Sequence, residues 1–296
     1  MLLPKFNYHA PTTIDEACSI LGHYGAKAKV LAGGTDLLVN LKKKLLTPEE
    51  LISLNKITGL TEAFEQKGKG LSIGPLSTAA YLAGSGLIRE EGGVLGQGAG
   101  RLGSPLIRNR ATVGGNLVTA RPASDMAPPL LVLGASLTLK GPQEERTVPL
   151  ADFIVGPGQT VIQNNEILTQ IFIPKFEGQS AGAYIKLGSR KALEISLVNV
   201  ASFLGLGSDG SIKQARVALG AVAPTPLLSP GAAKVLTGVK PKDGKDPVFN
   251  EAARAAAQDS KPITDHRGSA EYRRAMVEVL TLRTLTAAYE QLMKKS

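Results

Sequence analysis

The sequence predicts an α+β protein of two domains, residues 1–175 and 176–296, the first built from two parts at about 1–56 and 57–175. Three observations carry this reading. A chain of 296 residues is about twice the length of a common ~100–150-residue domain. Up to Pro174 short strand and helix patterns are mixed, whereas after it three strand-like segments follow one another before the pattern turns helical. Hydrophobic residues at 43% and charged residues at 20% are those of a folded globular chain, and no apolar run approaches the ~18 residues of a membrane span.

The elements follow in order. Thr12 or Thr13 caps a first helix whose apolar Ile14, Ala17, Cys18 and Leu21 share one face, with Asp15 and Glu16 at its positive end and Gly22 and Gly25 at its close. The segment AKVLAGGTDLLVNLKKK reads as a short strand, a Gly33-Gly34 turn and a second element, and LISLNKI as another strand. AFEQKGKGLSI reads as a hairpin about the Lys67–Gly70 turn, and STAAYLAGSGLI as a helix starting at Ser77 or Thr78. A glycine-rich stretch from Gly92 to Gly103 is left without an element. After it come ATVGGNLVT, a short helix in SDMAPPLLVLG, the strand pair ASLTLK and RTVPL, and the strand EILTQIFIP.

Beyond Pro174, the segments AGAYIKLGS, ISLVNVASFLGL and IKQARVALGAVA predict an antiparallel meander, its last two strands joined at Ser208-Asp209-Gly210. AAKVLTG, FNEAARAAAQDS and a long amphipathic segment from Ser269 to about Met293 predict helices. The second domain is therefore an antiparallel sheet plus helices.

Composition excludes several functions. A single cysteine, Cys18, allows neither an internal disulfide nor a cysteine-ligated zinc or iron–sulfur centre in this chain. His9, His23 and His266 show no metal-ligand spacing, so no metal site is expected. The opening MLLPKFNYHAP has no apolar signal region, and the expected location is cytoplasmic. The net charge of +9 suits an acidic partner or anionic cofactor, but 4% aromatics and no tryptophan offer no base-stacking platform, so nucleic acid is not expected. GAGRLG, Gly98 to Gly103, matches G-x-G-x-x-G in letters; it lacks the preceding strand and following helix that a dinucleotide site requires.

Two double-glycine segments are more informative, LAGGTD (Leu31 to Asp36) and ATVGGN (Ala111 to Asn116). Glycines without a Cβ let successive backbone N–H groups approach an anion, and Thr35, Thr112 and Asn116 add side-chain donors. Taken singly, each is equally a plain turn. Taken in order with FNYHAPTTIDEACSILG, RLGSPLIRNRATVGGNLVTARPASDMAP, GPGQTVIQNNEIL, YIKLGSRKALEISLVNVA, LGAVAPTPL and DHRGSAEYRRAM, they resemble the FAD-binding (medium) subunit of the molybdenum hydroxylases, the xanthine dehydrogenase and carbon monoxide dehydrogenase type, over nearly the whole chain.

This resemblance implies a two-part FAD-binding fold of the vanillyl-alcohol oxidase (PCMH) type over 1–175 and a C-terminal α+β domain of the carbon monoxide dehydrogenase flavoprotein type over 176–296. It implies that Leu31, Ala32, Gly33, Gly34, Thr35, Asp36 and Leu37, with Thr112, Val113, Gly114, Gly115 and Asn116, wrap the FAD diphosphate. Asp125 matches an aspartate at the FAD, Leu168 and Lys186 match residues near the flavin, and Leu102 stands where the family carries an aromatic adenine contact. Arg108, Arg110, Arg190 and Lys191 fit basic segments of the family. The implied function is electron transfer: an iron–sulfur subunit delivers electrons from a molybdenum-cofactor subunit, and FAD passes them to an external acceptor such as NAD or a quinone. No residue of this chain is expected to be catalytic in the acid–base sense. A stand-alone FAD oxidoreductase and a non-catalytic assembly protein are the alternatives.

Overall fold

A computed structural model describes residues 3–66, 68–190 and 193–295; Lys67 of the predicted turn and Lys191 of the basic segment lie outside the described residues. The first part is a three-stranded parallel sheet, order β1-β3-β2, from β1 (Asn7–His9), β2 (Ala28–Leu31) and β3 (Glu50–Ser53), connected by α1 (Ile14–Tyr24) and α2 (Leu37–Lys42). Thr13 caps α1, its hydroxyl accepting from the Glu16 N–H at 3.2 Å, while the Glu16 carboxylate accepts from the Thr12 N–H at 2.9 Å. Ala17, Cys18 and Leu21 then face Ile52, Leu54, Leu60, Leu76 and Ile167 in one small core. Gly22 does not end the helix. A mid-helix glycine costs only about 1 kcal/mol, which the buried face offsets, and the stop comes at Gly25, where φ reaches +54°.

The second part is a five-stranded antiparallel sheet, order β4-β5-β10-β6-β7, with β4 (Ala63–Gln66), β5 (Gly70–Ile73), β6 (Ser136–Lys140), β7 (Glu145–Pro149) and β10 (Ile167–Pro174); a small hairpin of β8 (Ile154–Gly156) and β9 (Gln159–Thr160) precedes β10. Short helices cover it: α3 (Ala79–Gly84), α4 (Gly86–Glu91), α5 (Gly93–Arg101), α6 (Pro105–Arg108), α7 (Val113–Val118), α8 (Ala127–Val132) and α9 (Leu150–Phe153). The single predicted helix over STAAYLAGSGLI is two, because Ser85 breaks the run and caps α4 through the Ile88 N–H. The glycine-rich stretch is the helix α5. Gly98 serves packing: a Cβ there would collide with the Asp125 carbonyl and lie 2.7 Å from Pro129. The G-x-G-x-x-G letters therefore fall largely within a helix packed on protein, not on a phosphate loop.

The C-terminal part is the predicted meander, β11 (Ser180–Leu187), β12 (Val198–Leu206) and β13 (Ile212–Gly220), with a short β14 (Leu227–Leu228) at its edge, followed by α10 (Pro230–Leu236), α11 (Pro247–Asp259) and α12 (Ala270–Lys295). All nine residues of β12 are buried, which a one-sided sheet would not require. The alternation explains it. Val198, Val200, Leu204 and Leu206 join the core of α10–α12, while Ala201 and Phe203 join the core of the five-stranded region. The C-terminal sheet thus covers the preceding domain and fixes Tyr184 and Lys186 of β11 against it. Among the described residues, no helix is long and apolar enough to cross a membrane.

Candidate functional site

A cavity of about 340 Å³ opens between the three-stranded and five-stranded sheets, within the ~300–1,000 Å³ range of small-molecule sites. The ends of β2 and β3, the segment after β5 and the starts of α6, α7 and β10 converge on it. Its lining includes Ala32, Gly33, Gly34, Thr35, Asp36 and Leu37 from the first glycine loop and Thr112, Gly114, Gly115 and Asn116 from the second, together with Leu168.

The two glycine loops do different work. Between β2 and α2, the backbone N–H groups of Gly33, Gly34, Thr35, Asp36 and Leu37 have no hydrogen-bond partner among the described residues. Five consecutive amides without a protein acceptor line a cavity wall, an arrangement that favours an anion. Gly34 sits at φ +74°, a conformation costly for any residue with a Cβ. Gly33 is held against the other loop, since a Cβ there would collide with the Arg110 carbonyl oxygen. Asp36 keeps its carboxylate occupied with Asn40 Nδ2 at 3.1 Å and Arg121 at 3.7 Å.

The second loop differs from the expectation of free backbone donors. Thr112 caps α7, its hydroxyl accepting from the Gly115 N–H at 3.1 Å. The Val113 N–H donates to Ser77 O at 3.0 Å, the Gly114 N–H to Pro75 O at 2.8 Å and the Asn116 N–H to Thr112 O at 3.0 Å. What this loop offers the cavity is space. Gly114 allows contact with Pro75, where a Cβ would lie 2.6 Å from its side chain, and Gly115 is limited on the protein side only by Thr112. The Asn116 Oδ1 accepts from Ser124 at 2.5 Å.

The other predicted residues fall nearby. Leu31 closes β2 beside Gly34, and Val113 is fully buried in the core beneath the cavity. Asp125 and Lys186 do not line the cavity; they form an ion pair of 2.7 Å, both buried, behind the wall that carries Leu102. Lys186 also donates to the Arg101 carbonyl at 3.3 Å. Asp125 accepts in addition from Tyr184 Oη at 2.7 Å and Ser196 Oγ at 3.0 Å. Burial pushes the Asp125 carboxyl up, against the lowering effect of Lys186, and raises the Tyr184 hydroxyl well above its ordinary range. Arg108 donates to Leu102 O at 3.0 Å, Arg190 pairs with Glu194 at 2.8 Å, and Arg110 contributes its carbonyl against Gly33.

Sequence patterns did not mark Leu54, Leu76, Arg121, Glu166 or Ile167, all of which line the cavity. They come from the ends of β3 and β5, the turn after α7 and the start of β10, and nothing local assigns any of them to a site. Arg121 and Glu166 are the charged members among them; Glu166 is held by Arg146 at 2.6 and 2.9 Å and by the Gln163 N–H at 2.7 Å, and the guanidinium keeps its carboxyl below the usual range. Among the described residues no group of three or more His, Cys, Asp or Glu side chains could hold a metal ion. Its walls are apolar side chains and its anion-directed donors are backbone amides, a donor set that suits a phosphate-bearing aromatic ligand.

Comparison with known proteins agrees with this geometry. Residues 4–176 match the family model described as FAD binding domain in molybdopterin dehydrogenase, and residues 183–288 match CO dehydrogenase flavoprotein C-terminal domain. The chain is 33% identical to the carbon monoxide dehydrogenase medium chain of Hydrogenophaga pseudoflava, covering 98% of this chain and 99% of that one. It is 31% identical to the nicotine 6-hydroxylase medium subunit of Paenarthrobacter nicotinovorans, covering 97% and 99%. A solved carbon monoxide dehydrogenase from Hydrogenophaga pseudoflava, lacking the Mo-pyranopterin moiety of its cofactor, superimposes with a TM-score of 0.92 at 32% identity over 98% of this chain and 99% of that one.

Proposed function

Because the chain belongs to the family of FAD-binding medium subunits of the molybdenum hydroxylases, we propose that it holds FAD noncovalently between its first two sheets and serves as the electron outlet of a complex with an iron–sulfur subunit and a molybdenum-cofactor subunit. The observation that carries this reading is the row of five unpartnered amides from Gly33 to Leu37 on the cavity wall. Those amides would take the diphosphate oxygens by charge-assisted hydrogen bonds, with the Arg121 guanidinium at the cavity edge adding positive charge. Gly114, Gly115 and Asn116 would leave room for the diphosphate rather than bind it through their amides. Leu54, Leu76, Ile167 and Leu168 would exclude water from the rings, and Leu102 would give the adenine an apolar rather than an aromatic face.

Bound FAD supplies the redox chemistry, accepting electrons singly and releasing them in pairs to an acceptor such as NAD or a quinone. The chain's own contribution is position and charge. The Asp125–Lys186 pair, with no net charge of its own, would hold the wall that carries Leu102 in place through the Arg101 carbonyl. Relatives named for carbon monoxide and for nicotine stand at similar identity to this chain, which supports substrate choice residing on the molybdenum subunit. The single cysteine fits work in the reducing cytoplasm.

The test of cofactor binding is acid precipitation of the purified chain. Flavin released into the supernatant at about one per chain supports the reading; a colourless protein that also takes up no added FAD defeats it.

A further inference from the structure

A second cavity, of about 490 Å³, lies where the C-terminal sheet meets the five-stranded domain, and it shares no lining residue with the first. One wall comes from β5, β10 and the residue after α8; the other from β12, β13 and the linker before β11. Its walls mix hydrocarbon with polar groups: Leu71 and Ile173 on one side, Phe176 and Phe203 on the other, these two rings edge to face with centroids 5.7 Å apart, together with the polar Lys175, Gln179 and Gln214.

Into this mixed setting β13 brings Arg216. Its guanidinium packs on Gly134, where a Cβ would lie 2.6 Å from Nη1 and 3.2 Å from Nη2, and Nη1 donates to the Val132 carbonyl at the end of α8 at 3.1 Å. Capping a helix C-terminus uses one N–H of five. No hydrogen bond of Nε or Nη2 and no ion pair of Arg216 is found among the described residues. Burial lowers its pKa with no carboxylate near enough to oppose the effect. Neither Nε nor Nη2 is buried without a partner, so both are open to a ligand, and the Nε/Nη2 edge is the one that grips a carboxylate with two parallel bonds.

We propose that this cavity binds a small monocarboxylate with an apolar body, its carboxylate on the Nε/Nη2 edge of Arg216 and its hydrocarbon against Phe176 and Phe203. The remaining wall residues set the charge of the ligand. Glu90 and Glu91 line the same cavity and outweigh its one lysine, Lys175, which is itself paired with Glu65 at 4.0 Å, so a dianion such as phosphate meets repulsion that a single carboxylate on Arg216 largely avoids. An occupant would touch both domains at once, because its carboxylate partner stands on β13 and half of its apolar wall on β5 and β10.

The experiment is calorimetric titration of the FAD-loaded full chain with benzoate, and with benzyl alcohol and inorganic phosphate as the neutral and the dianionic probe. Saturable benzoate binding at one per chain is expected, with neither control binding comparably. Arg216→Gln should weaken benzoate about tenfold or more, as loss of a charge-assisted pair implies. Should Arg216→Gln fail to fold, Ser180→Leu decides, because it fills the cavity while leaving the guanidinium in place and should weaken benzoate to the same degree. The proposal is overturned if benzoate shows no saturation up to about 10 mM, if benzyl alcohol or phosphate binds as well, or if a folded variant keeps wild-type benzoate affinity; Arg216 is then a helix cap and nothing more.

Discussion

Replacing Gly34 with alanine separates an anion loop from a plain turn. Gly34 has φ +74°, and a Cβ there would stand 3.0 Å from Leu38 Cδ1 and 3.3 Å from Leu31 Cδ1. Holding alanine in that conformation costs about 1–2 kcal/mol, and the crowding adds pressure to rotate the peptide. Rotation takes one or two amides out of the Gly33–Leu37 row, each worth about 1.5–3 kcal/mol toward a charged oxygen, so FAD affinity should fall about tenfold to a hundredfold. Gly59 supplies the control: its φ is +81°, and nothing lies within 4 Å of where its Cβ would be. Gly59→Ala carries the same backbone cost away from the cavity. Both variants should lose a few degrees of melting temperature as apo-protein, about 2–4 °C per kcal/mol, whereas only Gly34→Ala should weaken FAD in a fluorescence-quenching titration. Equal apo destabilisation with unchanged FAD affinity in both would refute the assignment of this loop.

Three further outcomes follow from the geometry. Cys18 is buried, donates to the Lys140 carbonyl at 3.2 Å and has its thiol pushed up to about 11 by burial, so thiol reagents at neutral pH should label it only after denaturation. Arg146 depresses the Glu166 carboxyl, so the pair's contribution is complete above the unfolded value of about 4.3 and is lost as pH falls through the lower folded value. The melting temperature of Arg146→Gln should therefore lie well below wild type near neutrality and converge on it in acid. Asp125→Ala leaves the Lys186 ammonium buried without its carboxylate and should cost about 3–5 kcal/mol in chemical denaturation, whereas the double variant Asp125→Asn, Lys186→Met should recover most of that loss.

Much of the architecture was legible because its signals are local. The Thr13 cap and its apolar stripe, the hairpin strands and the three-strand meander each carry period and punctuation within a dozen residues. The helix α5 was not legible, since four glycines in nine residues argue against a helix until Asp125 and Pro129 are seen pressed against Gly98. The continuous burial of β12 likewise depends on two partners far apart in sequence. At the site, the glycine pairs were visible, but their division of labour was not: one loop keeps its amides free and the other spends them on Ser77, Pro75 and its own Thr112 cap. Glu166 and Arg121 enter the cavity from segments with no shared motif, so only the tertiary fold brings them there.

If this chain is the flavin-bearing subunit of a larger assembly, native mass spectrometry of the untagged protein from its own cells should show it in company. The expected result is a complex of three kinds of polypeptide in which, on dissociation, FAD departs from this chain and iron from another. A chain that runs alone and turns over a substrate without partners, or a complex in which this chain carries no flavin, would contradict it.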